Sequence, residues 1–312
     1  MAIYIKNVKL ESNIILAPMA GYTDFAFRKM CNDFGAGLTT TEMISSSALH
    51  YNNKKTIDLL HTLDSESPKA VQIFGHDPEI MAEACRNPLL DKFDIIDINM
   101  GCPARKIISN GDGSALLKDV ELARSIIKAC VNATNKPITV KFRIGYTDDE
   151  IVATEFAKMC EEAGASAITV HGRTTLQGYA GTVNLDEIRK VKESVSIPVF
   201  ANGDCRSRED MQNILKVTGA DGIMVGRASI GQPEIFSELC FDKIVEVNKL
   251  EQIKVHYNQL KEFYGELYTV KYMRSHLAYY LSGKYKNTQA LVKLLKMEKF
   301  DEIFDYLNII MK

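Results

Sequence analysis

Eight short runs rich in β-branched residues recur along the first three quarters of the chain, at residues 14–17, 38–41, 70–74, 95–98, 138–142, 167–170, 198–201 and 222–225. They lie about 25 to 40 residues apart, and segments of helical periodicity such as 120–130 and 151–163 fall between most of them. A strand, a helix and a second parallel strand form a right-handed crossover, and eight such units close a barrel of about 250 residues. A chain of 312 residues holds that barrel with an appendage. The expected fold is therefore α/β, a (β/α)8 TIM barrel over residues 1–240 followed by a small C-terminal all-α domain over 241–312.

Local signals agree. Asp77-Pro78-Glu79 places an N-cap, a first-turn proline and a carboxylate that suits the helix dipole in succession, and Ser207 with Asp210 has the form of a capping box. Residues 3–5 and 8–10 around Lys6-Asn7 predict a hairpin that plugs the N-terminal face of the barrel. After residue 240 the β-type runs stop, and helices are expected at 250–268, 270–281, 289–295 and 298–307.

Composition narrows the class. With 46% hydrophobic and 25% charged residues the chain is that of a soluble globular protein. No apolar run approaches the roughly 20 residues a membrane span needs, and no signal-peptide pattern opens the sequence, so a cytoplasmic protein without a membrane partner is expected. Seven cysteines with no CxxC pair predict reduced thiols and no metal site. Net charge is only -2, yet residues 243–312 carry 12 Lys/Arg against 8 Asp/Glu. Within 268–300, Lys271, Arg274, Lys284, Lys286, Lys293, Lys296 and Lys299 face only Glu298. That end is a basic patch, either a nucleic-acid footprint or a solvated helical face with tyrosines in its core.

Catalytic groups of such barrels gather at the C-terminal strand ends. Here those ends carry Pro18-Met19-Ala20, Glu42, Gln72, Asn99 with Cys102, Lys141 with Arg143, His171, Asn202-Gly203-Asp204 and Gly226-Arg227. A lone polar residue at a strand end is usually solvated or caps a loop; a complete ring is harder to explain so. Cys102 is the one cysteine flanked by Gly and Pro, which fix backbone direction, and Asn99 offers donor and acceptor to a planar ring. Asn202-Gly203-Asp204 and Gly226-Arg227, at the seventh and eighth strands, suit a phosphorylated ligand, with Arg227 as a forked cation. Gln72, Lys141 and the Pro18-Met19-Ala20 surface suit a flavin, whose reduction places negative charge near such a lysine.

Taken in order, the segments from Ala17 to Asp24, Gln72 to Gly75, Asn99 to Pro103, Val140 to Gly145, His171 to Thr174, Asn202 to Asp204 and Gly226 to Ala228 resemble the tRNA-dihydrouridine synthases, above all the bacterial B-type branch. The region around Arg274-Ser275-His276-Leu277-Ala278-Tyr279-Tyr280 resembles that family's C-terminal RNA-binding bundle. The resemblance implies an FMN enzyme that uses NADPH or NADH to reduce uridine in tRNA, in the D-loop, to 5,6-dihydrouridine. It implies flavin contacts at Pro18, Met19, Ala20, Gln72, Lys141, His171, Asn202, Gly203, Asp204, Gly226 and Arg227, hydride transfer from flavin N5, and Cys102 as proton donor with Asn99 orienting the base. Arg143 and Arg173 are expected either at the uracil or a phosphate, or in structural salt bridges. Lys271, Arg274, Lys284, Lys286 and Lys293 are expected to meet the RNA, and the polar stretch 45–55 to form either a border of the RNA groove or an ordinary loop. No obligate protein partner is expected. The rival readings are a flavoenzyme like dihydroorotate dehydrogenase acting on a free pyrimidine, and a barrel that binds RNA without chemistry.

Overall fold

A computed structural model describes residues 2–282 and 288–311. The chain opens with an antiparallel hairpin of β1 (Ile3–Ile5) and β2 (Val8–Leu10). Eight parallel strands follow: β3 (Ile14–Leu16), β4 (Thr39–Ser45), β5 (Lys69–Phe74), β6 (Ile95–Met100), β7 (Ile138–Arg143), β8 (Ala167–His171), β9 (Val199–Asn202) and β10 (Gly222–Val225). Each pairs with its successor from β4 to β10, β10 pairs with β3, and Gly37 N–H to Ile14 O (2.8 Å) with Leu16 N–H to Leu38 O (2.9 Å) joins β3 to the approach of β4.

Side chains alternate across each strand, so one set fills the barrel and the other meets the surrounding helices. The inward set begins with an apolar layer of Ile15, Ala70, Ile95, Ala167, Phe200 and Met224, against which Ile5 and Leu10 of the hairpin pack as the expected plug. One step up, the layer turns polar with Thr40, Asp97, Thr139 and Thr169, all buried. The next step is the rim. Parallel register sets Asn99 beside Lys141, Arg143 beside His171, and His171 beside Asn202.

Helix Pro78–Arg86 starts at Asp77, whose carboxylate accepts from two backbone N–H groups, and Ser207 caps helix Arg208–Thr218 as expected. The stretch 45–55 is not an ordinary loop. Ser45 and Asn53 each cap a short helix, Ser46–His50 and Lys54–Asp58, through side chains that accept backbone N–H groups.

The C-terminal region forms helices Lys249–Tyr264, Glu266–Tyr280, Thr288–Leu294 and Phe300–Ile310. The first break falls at Gly265 rather than between 268 and 270, because Gly265 adopts φ +79° and its N–H closes the preceding helix on Lys261 O. The apolar core of this region includes Phe25 and Ala26 from the barrel's helix Phe25–Asp33, so the bundle is packed onto the barrel rather than tethered to it. Among the described residues no helix is long and apolar enough to cross a membrane.

Candidate active site

Cys102 sits on a loop tied down from four directions. Asn99 Oδ1 accepts from the N–H of Gly101 (3.2 Å) and of Cys102 (2.9 Å). Ser114 donates twice to Cys102 O, from N–H and from Oγ. Arg143 donates from Nε to Gly101 O at 2.8 Å and from Nη1 to Thr174 O and Gly178 O, which binds the cysteine loop to the loop after β8. Gly101 lies against Lys141 and Phe142, where a Cβ would come within 3.3 Å of the Phe142 backbone. The thiol is partly exposed, whereas Cys31, Cys85, Cys130, Cys160 and Cys205 are buried. Burial pushes its pKa up against the opposing effect of the Ala104 N–H and of the Arg143 and Lys141 charges, so Cys102 holds its proton at neutral pH.

At the ends of β7 to β10 lies a cluster of cations. Lys141 Nζ donates to Asn202 Oδ1 at 2.9 Å, and Asn202 Nδ2 to Met224 O at 2.8 Å. Arg173 is buried, donating to Ala180 O and Gly181 O and pairing with Asp204 at 2.5 Å. Arg227 is exposed, 3.7 Å from Asp204 and stacked 4.6 Å over the Tyr179 ring. Burial and the neighbouring Arg143 charge pull Lys141 down to about 8. Burial, reinforced by Lys141, Arg143, Arg173 and Arg227, holds His171 far below the usual imidazole value and therefore neutral.

These residues fit a flavin phosphate. Buried Arg173 Nη1 lacks a hydrogen-bond partner among the described residues, one more donor than the protein uses. Gly203 has φ +123° and faces His171 and Val183, where a Cβ would sit 2.5 Å from Val183 Cγ2, so the backbone there stays bare for a ligand. Gly226, at the next strand end, leans toward Ala17 and Met19. Across the rim, Pro18 and Met19 are half-buried and Ala20 is exposed, a low surface on which a flat ring can lie.

That surface is braced by a residue from another part of the chain. Glu42 accepts from Gly21 N–H at 2.6 Å and from Tyr272 Oη at 3.0 Å, so the C-terminal bundle reaches the loop beside the candidate ring site. Tyr280 is buried and Tyr272 largely so, which makes them core tyrosines of the bundle rather than stacking faces. Lys271 and Lys293 are exposed, Lys293 lying 4.5 Å over the Tyr306 ring; Arg274 is half-buried. Lys284 and Lys286 fall outside the described residues. Backbone carbonyls take up Arg143 Nε and Nη1, while Arg173 spends Nε and Nη2 on Ala180 O, Gly181 O and Asp204 and keeps Nη1 without a hydrogen-bond partner among the described residues.

Sequence reasoning overlooked Asp97, Asp24, His256 and His276. Asp97 was discoverable, being two positions before Asn99 on one strand face; the others meet only through tertiary packing.

A barrel whose rim joins a protonated thiol to a cationic, glycine-lined anion cradle belongs to the class of flavin-dependent barrel oxidoreductases. Residues 15–305 match the family model Dihydrouridine synthase (Dus), and the chain belongs to that family. It is 41% identical over 290 residues to tRNA-dihydrouridine synthase B of Pseudomonas syringae pv. tomato, covering 90% of this chain and 86% of that one. It is 40% identical over 292 residues to a probable tRNA-dihydrouridine synthase of Rickettsia conorii, covering 90% and 88%. Among solved structures, histamine dehydrogenase from Rhizobium sp. 4-9 superposes with a TM-score of 0.62 at 14% identity, over 88% of this chain and 50% of that one, a likeness of fold. The family match extends through the helical region, so both rival readings fall away.

Proposed function

We propose that this protein reduces uridine in tRNA, in the D-loop, to 5,6-dihydrouridine, with NADPH or NADH as reductant and Cys102 as the proton donor. The strand ends β7 to β10 and the Pro18-Met19-Ala20 surface would hold FMN, which would supply the hydride for C6 of the base. The C5=C6 bond then gains a hydride at C6 and a proton at C5, and the second comes from the Cys102 Sγ. The observation that carries this reading is the combination of a thiol kept protonated by burial with cations beside it: the proton is present at neutral pH, and Arg143 and Lys141 stabilise the thiolate left behind. Asn99, locked by the loop's own N–H groups, holds the thiol in place while the base approaches.

A stacked base must leave the RNA to reach the rim, at a cost of a few kcal/mol, and contacts elsewhere must offset it. The exposed cations of the bundle are suited to that role through phosphate attraction. A tRNA substrate supports a cytoplasmic enzyme, and among the described residues no helix is long and apolar enough to cross a membrane. Cys102→Ala tests the chemistry: the purified protein should stay yellow and its flavin should still be reduced by NADPH, while product formation on tRNA falls by about 10²-fold or more. Unchanged turnover on tRNA would remove the thiol from the reaction.

A further inference from the structure

Asp97 lies on β6 one inward step below Asn99 and is 4% exposed. Its carboxylate accepts from Gln72 Nε2 at 2.7 Å and from Thr139 Oγ1 at 2.5 Å. Gln72 Oε1 accepts from Asn99 Nδ2 at 2.7 Å, and Asn99 Oδ1 accepts from the N–H groups of Gly101 and Cys102. The direction of this chain is imposed at both ends. Backbone N–H groups only donate, and a carboxylate only accepts. Between them stand two primary amides, each able to present either face. If they turned over, Asn99 would point an NH2 at two backbone N–H groups, and the cysteine loop would lose its acceptor.

We propose that Asp97 is a positioning residue for Cys102: through Gln72 and Asn99 it sets the polarity of a hydrogen-bond chain that runs from the barrel interior to the cysteine loop. The proposal rests on the reading of Cys102 as proton donor. Asp97 itself stays below the rim and acts only through its neighbours. Its charge has a second consequence in the same direction, because it opposes the burial of Lys141 and so helps keep that amine protonated beside the loop. The same carboxylate thus orders the thiol's backbone and supports one of the cations that receive the thiolate.

The test is alkylation of Cys102 in the holoenzyme by a small haloacetamide, read by peptide mass as a function of pH. Asp97→Asn is nearly isosteric, but its amide can donate to Gln72 as readily as accept, so the polarity is no longer enforced. Losing a hydrogen bond to a charged acceptor should release the loop, and Cys102 should be alkylated about tenfold faster, with a profile moved toward that of an ordinary thiol. Thr139→Val removes the carboxylate's other donor and leaves the Gln72 link, so its rate should stay within about twofold of the parent. If Asp97→Asn does not fold, Gln72→Met cuts the chain one link nearer the loop and carries the same expectation. A parental rate and profile in the variant used overturns the proposal. Equal acceleration in Thr139→Val overturns it too, since that would be loss of packing rather than of polarity. Alkylation needs no turnover, so failure here and failure of Cys102→Ala on tRNA are separate results.

Discussion

Two clusters of ionisable groups, one under the C-terminal bundle and one at the rim, treat charge in opposite ways. Under the C-terminal bundle, Asp24 caps helix Phe25–Asp33 through Phe27 N–H and also meets His256 Nε2 at 3.1 Å and His276 Nε2 at 3.2 Å. His256 Nδ1 faces Tyr280 Oη at 3.1 Å, and the Tyr22 ring packs edge-on against His276. All three ionisable groups are buried, and the anion is surrounded by donors. At the rim, Arg173 and Arg227 share Asp204, Lys141 lies above Asp97, and among the described residues Arg143 donates to backbone carbonyls alone. At the junction the one carboxylate lies within ion-pair distance of both imidazoles, although His276 Nδ1 and Nε2 make no hydrogen bond among the described residues. The rim gathers more cations than carboxylates, and burial pulls Lys141 and Arg143 below their ordinary values, a combination that accompanies ligand sites.

The comparison breaks most visibly at the junction. Asp24→Ala leaves two imidazoles and a helix N-terminus without their acceptor and should lower stability by about 3 to 5 kcal/mol, measured by chemical denaturation. The pH dependence has a definite sign. Burial works to raise the Asp24 carboxyl, but the two histidines outweigh it and hold the group well below the usual carboxylate range, so its contribution is whole above about pH 4 and fades as pH falls further. Burial and His256 hold His276 below the usual imidazole value, so the unfolded chain binds a proton near pH ~6.5 that the folded one refuses, and stability declines as pH drops through that value. The gap between parent and Asp24→Ala should therefore narrow in strong acid. A gap that widens there would refute the assignment of Asp24 as the stabilising anion.

The rim should respond in the opposite manner. Lys141→Met removes a charge whose burial already opposes ionisation, so the folded protein should change by less than about 1 kcal/mol while flavin is lost on gel filtration. A stability loss as large as that of Asp24→Ala would mean that the rim cations are structural after all, and the contrast between the two clusters would collapse.

How much of this was legible in the sequence follows from the same contrast. The strands were readable because β-branched runs have a period and a length that local physics sets, and the rim was readable because strand ends follow each run: Asn99, Cys102, Lys141, His171 and Asn202 all lie where a barrel gathers its chemistry. Asp97 was hidden among hydrophobic neighbours, although the two-residue alternation that exposed Asn99 applies to it equally. The junction was illegible for another reason. Asp24 lies more than two hundred positions from His256 and His276, and nothing local says that the helix around His276 turns its imidazole toward the start of the first barrel helix. Gly265 carried a visible signal, a glycine inside a long helical pattern, yet its positive φ rather than the apolar periodicity decided where the helix ended. The arginines show the limit of residue type alone: Arg143 spends Nε and Nη1 on backbone carbonyls, and Arg173 is tied to Ala180 O, Gly181 O and Asp204 with only Nη1 left over among the described residues.

The smallest expected effect sharpens the division between the rim, where chemistry would occur, and the outer bundle, which would supply affinity. Lys271, Lys293 and Lys296 are exposed on helices or turns of the bundle, Lys271 next in sequence to the Tyr272 that bonds Glu42. If they meet phosphates, neutralising all three should weaken tRNA binding and flatten the slope of log affinity against log salt by about 1 for each phosphate that no longer has its lysine. NADPH oxidation in the absence of RNA should not change, since none of the three touches the strand ends. The measurement is a salt titration of tRNA binding by the parent and the triple variant. An unaltered slope with parental affinity would put the RNA on another face, and a loss of NADPH oxidation would show that the bundle's outer surface and the rim act as one unit, which is the outcome the paired junction between them argues against.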